Sequence, residues 1–340
     1  MRTTYYIKAI QEALTQAMEA DETVFLMGED IGVYGGCFGV TRGMLRRFGK
    51  KRVVETPMSE ASLLGVAIGA AVTGLKPVLE IMFMDFITLC MDQIVNHASK
   101  MRYIYGGTVS VPLVIRTAAG AGKRYASSHS QSLEAMFMNV PGLKIAAPST
   151  PYDAKGLLKA AIDDPDPVLF VEHKLLYWTK GHVPREPYTL PFGVAATRRH
   201  GNDVTIVAHS RMVSAALAAS ETLAKEGVDA EVIDLRTLSP LDTDTITASV
   251  EKTGRLVTVE EGYLCNGIGA EISARVAERA FPSLKAPIVR VGGADVPIPY
   301  SPPLEDAAIP QTADIVRAVR TLFKWRFSQA VAVRRAERSK

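Results

Sequence analysis

The sequence predicts an α/β protein: a mostly parallel sheet with helices on both faces, followed by a second, smaller α/β domain. Three observations carry this reading. Apolar residues recur as continuous runs at Val24–Met27, Pro77–Met82, Val111–Arg116 and Val168–Glu172, which is how strands buried on both faces read. Segments of helical spacing separate these runs, so strands and helices alternate. The alternation resumes after a proline-bearing, aperiodic stretch at Tyr177–Phe192, giving two α/β sets within 340 residues, a length that accommodates two ordinary domains. The expected division is a first domain over 1–180, a linker over 181–198, a second domain over 199–323 and a basic tail over 324–340.

In chain order, Ile7, Ile10, Leu14, Ala17 and Met18 fall on one side of an amphipathic N-terminal helix. Val24–Met27 then runs into Gly28-Glu29-Asp30, placing two acids at a strand end, where α/β sheets collect their sites; for one of the two, capping the next turn is the plainer role. Gly32–Gly39 is a glycine-rich loop that lacks both the ending of a P-loop and the strand and acid context of a dinucleotide fingerprint. Thr41 is placed to cap a short basic helix reaching Phe48-Gly49. Val53–Gly74 reads as a strand, a turn through Thr56-Pro57-Met58, and a small-residue helix opened by Ser59 and Glu60. The helix dipole there favours a carboxylate, whereas the apolar surroundings favour the neutral acid. On local features alone Glu60 reads as a cap.

The strand Pro77–Met82 leads into Phe83–Phe86 and one long helix to about Tyr105, whose His97 reads as an ordinary surface histidine. After the strand Val111–Arg116, Ser128 and Gln131 have capping-box spacing, which puts His129 in the first turn of a helix. A neutral histidine at a positive helix end is a competent proton-transfer group; a plain loop histidine is the open alternative. Leu143–Ala147 is a strand, Pro151–Ile162 a helix, and Asp163–Pro167 an acidic turn that reads as solvated. In the second half the expected strands are Val204–Ala208, Ala230–Asp234, Leu256–Val259 and Ile288–Val291. The expected helices are Met212–Glu226, Thr243–Lys252, Gly267–Ala280 and, after an irregular proline-rich loop at Val296–Pro303, Thr312–Phe323.

Composition narrows the class of function. Hydrophobic residues make up 47% and charged residues 22%, and the longest apolar run, Leu63–Val72, is too short to span a bilayer. Three cysteines without metal-type spacing fit a reducing, cytoplasmic setting. The formal charge is +3, yet Phe323–Lys340 alone carries six basic residues against Glu337. The body is therefore near neutral, and nothing in it points to a nucleic-acid groove.

Six motifs in fixed order carry a family resemblance: GEDIG at 28–32, TPMSE at 56–60, HSQ at 129–131, IDLRTLSPLD at 233–242, VTVEEG at 257–262 and DVPIPYSPPLE at 295–305. Together they resemble the beta subunit of thiamine-diphosphate-dependent 2-oxo acid dehydrogenases, the first components of pyruvate, branched-chain and acetoin dehydrogenases, from about Thr4 to Phe323. The resemblance implies a pyrimidine-binding thiamine-diphosphate fold followed by a transketolase C-terminal-like domain. It implies oxidative decarboxylation of a 2-oxo acid, or cleavage of acetoin, with acyl transfer to lipoamide. Glu60 matches the glutamate that hydrogen-bonds the cofactor's aminopyrimidine ring, Phe86 the aromatic that packs on that ring, Glu29 a nearby pocket acid, and His129 the histidine that handles protons and faces the lipoyl group. Leu113, Ala161, Ile162, Asp164 and Asp166 match the ligands of a structural potassium ion, an all-oxygen set that suits a hard cation.

In this superfamily Mg²⁺ holds the cofactor's diphosphate through a GDG motif, and the chain contains none. The resemblance therefore implies an alpha subunit that holds Mg²⁺ and diphosphate, an alpha2–beta2 heterotetramer, and docking to a dihydrolipoyl acyltransferase core. The small face Gly65, Ala67, Gly69 and Ala70 suits either close helix approach across an interface or packing on its own sheet. Lys123 and Arg124 are placed to meet a substrate carboxylate or to be solvated, and the tail extends past the usual family end. Two other readings stay open: a transketolase or deoxyxylulose-phosphate-synthase-like transferase half, and a non-catalytic α/β binding module.

Overall fold

The computed structural model describes residues 1–338, with side chains for residues 1–325; the docking or packing role considered for the basic tail falls mostly outside the described side chains. The chain divides into two units. The first comprises Met1–Gly193 together with Arg236–Leu241 and Pro297–Glu305, and the second comprises Val194–Leu235, Asp242–Val296 and the chain from Asp306.

The first unit is built on a seven-stranded sheet in the order Thr237–Ser239, Lys144–Ala146, Val168–His173, Val114–Ala119, Lys76–Ile81, Val24–Gly28, Val53–Glu55. Every pairing is parallel except that of Thr237–Ser239 at one edge. Val168–His173 and Val114–Ala119 are buried along their whole length, as their continuous apolar runs require. On one face the helices Tyr6–Ala20 and Pro151–Asp163 pack together. Ile10, Ala13, Leu14 and Ala17 share a core with Ala154, Leu157, Leu158 and Ala161. The second helix starts cleanly: Thr150 Oγ1 accepts from the Asp153 N–H at 3.1 Å, and Pro151 takes the first turn, where a missing N–H costs nothing.

The second unit holds a five-stranded sheet in the order Val289–Gly293, Leu256–Tyr263, Val204–Ala208, Ala230–Asp234, Ala196–Arg199, parallel except for the last strand. Helices Met212–Ala224, Thr243–Thr253 and Ile268–Ala280 follow the strands. Helix Thr312–Arg338 packs Ile315, Val316, Val319 and Leu322 into the same core. Asp242 caps the helix after it, accepting from the Thr245 N–H at 3.0 Å.

Several local readings change. The stretch read as one long helix to Tyr105 is a 3₁₀ segment at Met84–Cys90, a π-helical turn at Gln93–Ala98 and a short α-turn at Met101–Ile104. Its bonding explains the break: Thr88 Oγ1 bonds back to Asp85 O, and the Ser99 N–H reaches Ile94 O, five residues back. Thr41 does not cap a helix, because its hydroxyl donates to Ile31 O at 2.7 Å and the helix Met44–Phe48 starts after a left-handed Gly43. Tyr177–Phe192 is not structureless: Lys180–Val183 pairs antiparallel with a strand at Arg2–Tyr5, and Tyr177 is buried. The proline-rich loop gives way to a helix at Pro302–Ala308. Packing on its own sheet does not account for the small helix face. Ala67 is buried, but Gly65 and Gly69 are exposed with open space around them.

Candidate active site

Four parallel, adjacent strands deliver the site. Glu29 follows Val24–Gly28, Glu60 follows Val53–Glu55 by one turn, Phe86 follows Lys76–Ile81, and the loop carrying His129 follows Val114–Ala119. The register aligns Gly28 with both Glu55 and Glu80, so three of these exits leave the sheet at one level. They leave at the carboxyl ends of the strands, where open α/β sheets place ligands.

Glu60 is the first residue of helix Glu60–Val72 and is half-buried. It does not act as the cap. Ser59 precedes it, spends its hydroxyl on Ser62 Oγ at 2.9 Å, and presents its backbone N–H to the Glu29 carboxylate. Glu29 is 6% exposed, and its Oε1 is buried with no partner among the described residues. Burial first, and then the charge of Glu60, hold the Glu29 carboxyl above the ordinary carboxylate range, against the pull of the Ser59 N–H. Glu29 is thus not a turn cap either. Cys90, one turn beyond Phe86, senses both acids: burial, then Glu60 and Glu29, push its thiol up to about 12. The two acids and the Phe86 segment therefore share one neighbourhood.

His129 is half-buried and lies edge-on to two rings, at 4.7 Å from the Phe83 centroid and 5.2 Å from that of Phe86. Its Nδ1 is 3.0 Å from Ser128 Oγ. The capping box expected here is absent, and the next helix starts only at Glu134. Two causes are visible. Arg124 and Ala126 adopt left-handed backbone conformations, and the Gln131 side chain is drawn away to Asp85 Oδ1 at 2.9 Å. The loop is fastened at its start too, where the Gly120 N–H donates to Gln131 O at 3.1 Å. Only glycine suits that position: φ is +90°, and a Cβ would lie 2.0 Å from His173 Nε2.

The Lys123-Arg124 pair divides. Arg124 is partly exposed and is paired with the fully buried Glu305 (Nη1–Oε2 2.6 Å), so its guanidinium does not stand free for a substrate. Glu305 also accepts the Gly122 N–H at 2.8 Å.

Residues 3–179 match the transketolase pyrimidine-binding domain and residues 193–315 the transketolase C-terminal domain. The chain is 50% identical over 326 residues to the beta subunit of acetoin:2,6-dichlorophenolindophenol oxidoreductase of Cupriavidus necator, covering 93% of this chain and 96% of that one. It is 48% identical to a mitochondrial pyruvate dehydrogenase E1 subunit beta-2 of Oryza sativa, covering 92% and 84%. Against the pyruvate dehydrogenase E1 beta subunit of Rhizobium meliloti it is 45% identical, covering 95% and 70%. The chain belongs to this family of dehydrogenase beta subunits. The fold is shared more widely: a split-gene transketolase described as an inactive beta4 tetramer superposes with a TM-score of 0.78 at 23% identity, covering 94% of this chain and 98% of that one.

In this beta subunit, sequence reading missed much of what surrounds the four named residues. Phe83 is the aromatic hub, edge-on to Phe38 at 5.7 Å, Phe86 at 6.0 Å and Tyr125 at 6.1 Å as well as to His129. Lys174 is 1% exposed, donates to the His129 carbonyl and lies 5.2 Å from the Phe83 centroid. Beneath the site runs a buried array. Arg116 donates to Glu172 at 2.7 Å and to Glu80 at 2.8 Å, and the Tyr177 hydroxyl donates to Glu172 at 2.9 Å. This array had a sequence signal, since each of the runs PVLEIM, VPLVIR and VLFVE carries one charge among its apolar residues; such charges stay buried only if they are paired.

The expected cation ligands lie elsewhere. Leu113 precedes the strand Val114–Ala119, Asp164 and Asp166 precede the strand Val168–His173, and Ala161 and Ile162 lie in the last turn of helix Pro151–Asp163; the amino ends of these strands are about 20 Å along the sheet from the acids. The acidic turn is solvated in part: Asp163 and Pro165 are exposed, whereas Asp164 and Asp166 are half-buried and paired. Both Asp164 oxygens receive Lys144 Nζ at 2.7 Å, and Asp166 pairs with Arg102. With these carboxylates engaged, the backbone carbonyls are the remaining donors. Leu113 O already accepts from the Val168 N–H at 2.9 Å and Ala161 O from the Asp164 N–H at 3.3 Å. Neutral carbonyl donors suit a monovalent ion better than a divalent one.

Proposed function

We propose that this chain is the beta subunit of a thiamine-diphosphate-dependent dehydrogenase that acts on a 2-oxo acid or on acetoin and transfers the acyl group to lipoamide. The observation that carries this reading is the convergence of Glu60, Glu29, Phe86 and His129 beyond the carboxyl ends of four adjacent parallel strands. Their chemistry fits the aminopyrimidine half of the cofactor. A half-buried carboxyl at a helix start faces a second, buried carboxyl whose Oε1 has no protein partner, and the buried Thr56 Oγ1 beside them is equally without one. Buried polar atoms of this kind call for a hydrogen-bonding ligand. The half-exposed ring of Phe86 supplies an apolar wall.

Thiamine diphosphate, when bound, supplies the carbanion chemistry that no side chain can. The chain's own residues do the rest. Glu60 would hydrogen-bond the cofactor's pyrimidine and hold the proton that the ring's activation needs. Glu29, raised toward its neutral form, keeps a second negative charge away from Glu60. The edges of Phe83 and Phe86 fix the imidazole of His129, which moves protons at the substrate side. The chain has no GDG motif, so an alpha subunit holds the diphosphate and its Mg²⁺. The relatives' designation as beta subunits supports an alpha partner; we take the assembly to be alpha2–beta2 and to dock on a dihydrolipoyl acyltransferase core. A potassium ion on the carbonyls of Leu113, Ala161, Ile162 and Asp164, beside Asp166, fits the donor set. Among the described residues no helix is long and apolar enough to cross a membrane. The three cysteines are free thiols, which fits a reducing compartment such as the cytoplasm. The tested variant is Glu60→Gln in the assembled enzyme, expected to lower turnover at least about 100-fold with assembly intact. Wild-type turnover would remove Glu60 from the mechanism.

A further inference from the structure

Asp85 stands out among buried groups that the reaction does not use. It is 6% exposed and lies between Met84 and Phe86 in the 3₁₀ segment after the strand Lys76–Ile81. Its Oδ1 receives two bonds from one residue, the Gln131 side-chain amide at 2.9 Å and the Gln131 backbone N–H at 3.3 Å. Its Oδ2 is buried with no partner among the described residues. Gln131 is two residues from His129. No helix carries the histidine, so its place depends on what fastens its loop, including the Lys174 ammonium on its carbonyl, the Gly120 N–H on Gln131 O, and Asp85 on the Gln131 amides, beside the Ser128 hydroxyl on its Nδ1. The Asp85 strap joins this loop to the neighbouring segment that presents Phe83 and Phe86, the two rings that face the imidazole.

We propose that Asp85 is a positioning residue for His129, acting through Gln131. The two oxygens of Asp85 separate positioning from stability. In Asp85→Asn the amide oxygen still accepts both Gln131 bonds, but the new NH₂ occupies the place of Oδ2, where no acceptor awaits it. That variant should melt at a lower temperature while His129 keeps its orientation. In Asp85→Ala the acceptor is lost and the loop is released. The role in turnover rests on the function proposed above; the strap itself does not.

The test has two readouts. On the purified chain, the rate of diethylpyrocarbonate modification of His129 is followed by peptide mass spectrometry for the wild type, Asp85→Asn, Asp85→Ala, Gln131→Leu and the double variant Asp85→Ala/Gln131→Leu. His129 should react several-fold faster in Asp85→Ala and Gln131→Leu. The double variant should match the singles, because both changes cut one strap, and Asp85→Asn should stay at the wild-type rate despite its lower melting temperature. In the enzyme assembled with its alpha subunit, Asp85→Ala should lower kcat about tenfold or more, and Asp85→Asn should restore it. Equal His129 rates in wild type and Asp85→Ala, additive effects in the double variant, or an Asp85→Asn rate equal to that of Asp85→Ala would each overturn the proposal. A faster His129 with unchanged kcat would sustain the strap and remove His129 from the reaction.

Discussion

At Glu29 burial and the charge of Glu60 push in one direction and a single backbone N–H pushes in the other, and burial wins. A carboxyl group whose folded value is raised binds its proton more tightly in the folded chain than in the unfolded one. Its contribution to stability is therefore fully present below the ordinary glutamate value and is lost as pH rises through the raised value. Glu29→Gln cannot ionise and escapes that loss. The melting temperatures of wild-type and variant chains, measured without cofactor, should lie close together near about pH 4 and diverge upward in pH, with the variant the more stable at about pH 8. A constant gap across that range would contradict the burial account. Glu29 and Glu60 were visible as acids at a strand end and a helix start, because the flanking runs are apolar. What they bond to was not visible. The local reading made Glu60 a cap, whereas Ser59 holds the N-cap position and gives its N–H to Glu29, which lies 30 residues earlier in the chain.

Elements were legible where one residue pattern decided them. Val204–Ala208 and Ala230–Asp234 form as read, because each short segment, VTIVA and AEVID, is mostly apolar and is buried along its whole length. The stretch from Met84 to Ile104 was not legible, since its apolar spacing resembles that of a helix while its backbone switches from 3₁₀ to π bonding. The false capping box at Ser128 has a similar origin: the Gln131 side chain finds its partner 46 residues away at Asp85. The helix Glu60–Val72 allows a test at this scale. Gly65 and Gly69 lie in its interior, and an added methyl group at either would meet nothing within 4 Å. Gly65→Ala and Gly69→Ala should each stabilise the isolated chain by about 0.5–1 kcal/mol through reduced backbone freedom, read from denaturant midpoints. Destabilisation by either would show that the space is not open in solution.

At the scale of the whole chain, two α/β sets were legible from the repeated alternation of strand and helix. The interleaving of the two units was not. Arg236–Leu241 and Pro297–Glu305 belong to the first unit although they lie within the second half of the chain. Nothing local in either segment announces this. Thr237 pairs with Ala146, and Glu305 binds Arg124 and Gly122, through contacts that only the folded chain supplies. Under the proposed function this chain's acids, rings and histidine would face the pyrimidine, and the alpha subunit would supply the diphosphate and Mg²⁺ site, since the sequence has no GDG motif. The most direct test is calorimetric titration of thiamine diphosphate with Mg²⁺ into the purified chain and into the chain assembled with its alpha subunit. The expected result is weak binding by the chain alone and tight, Mg²⁺-dependent binding by the assembly; tight, Mg²⁺-dependent binding by the chain alone would contradict a shared site.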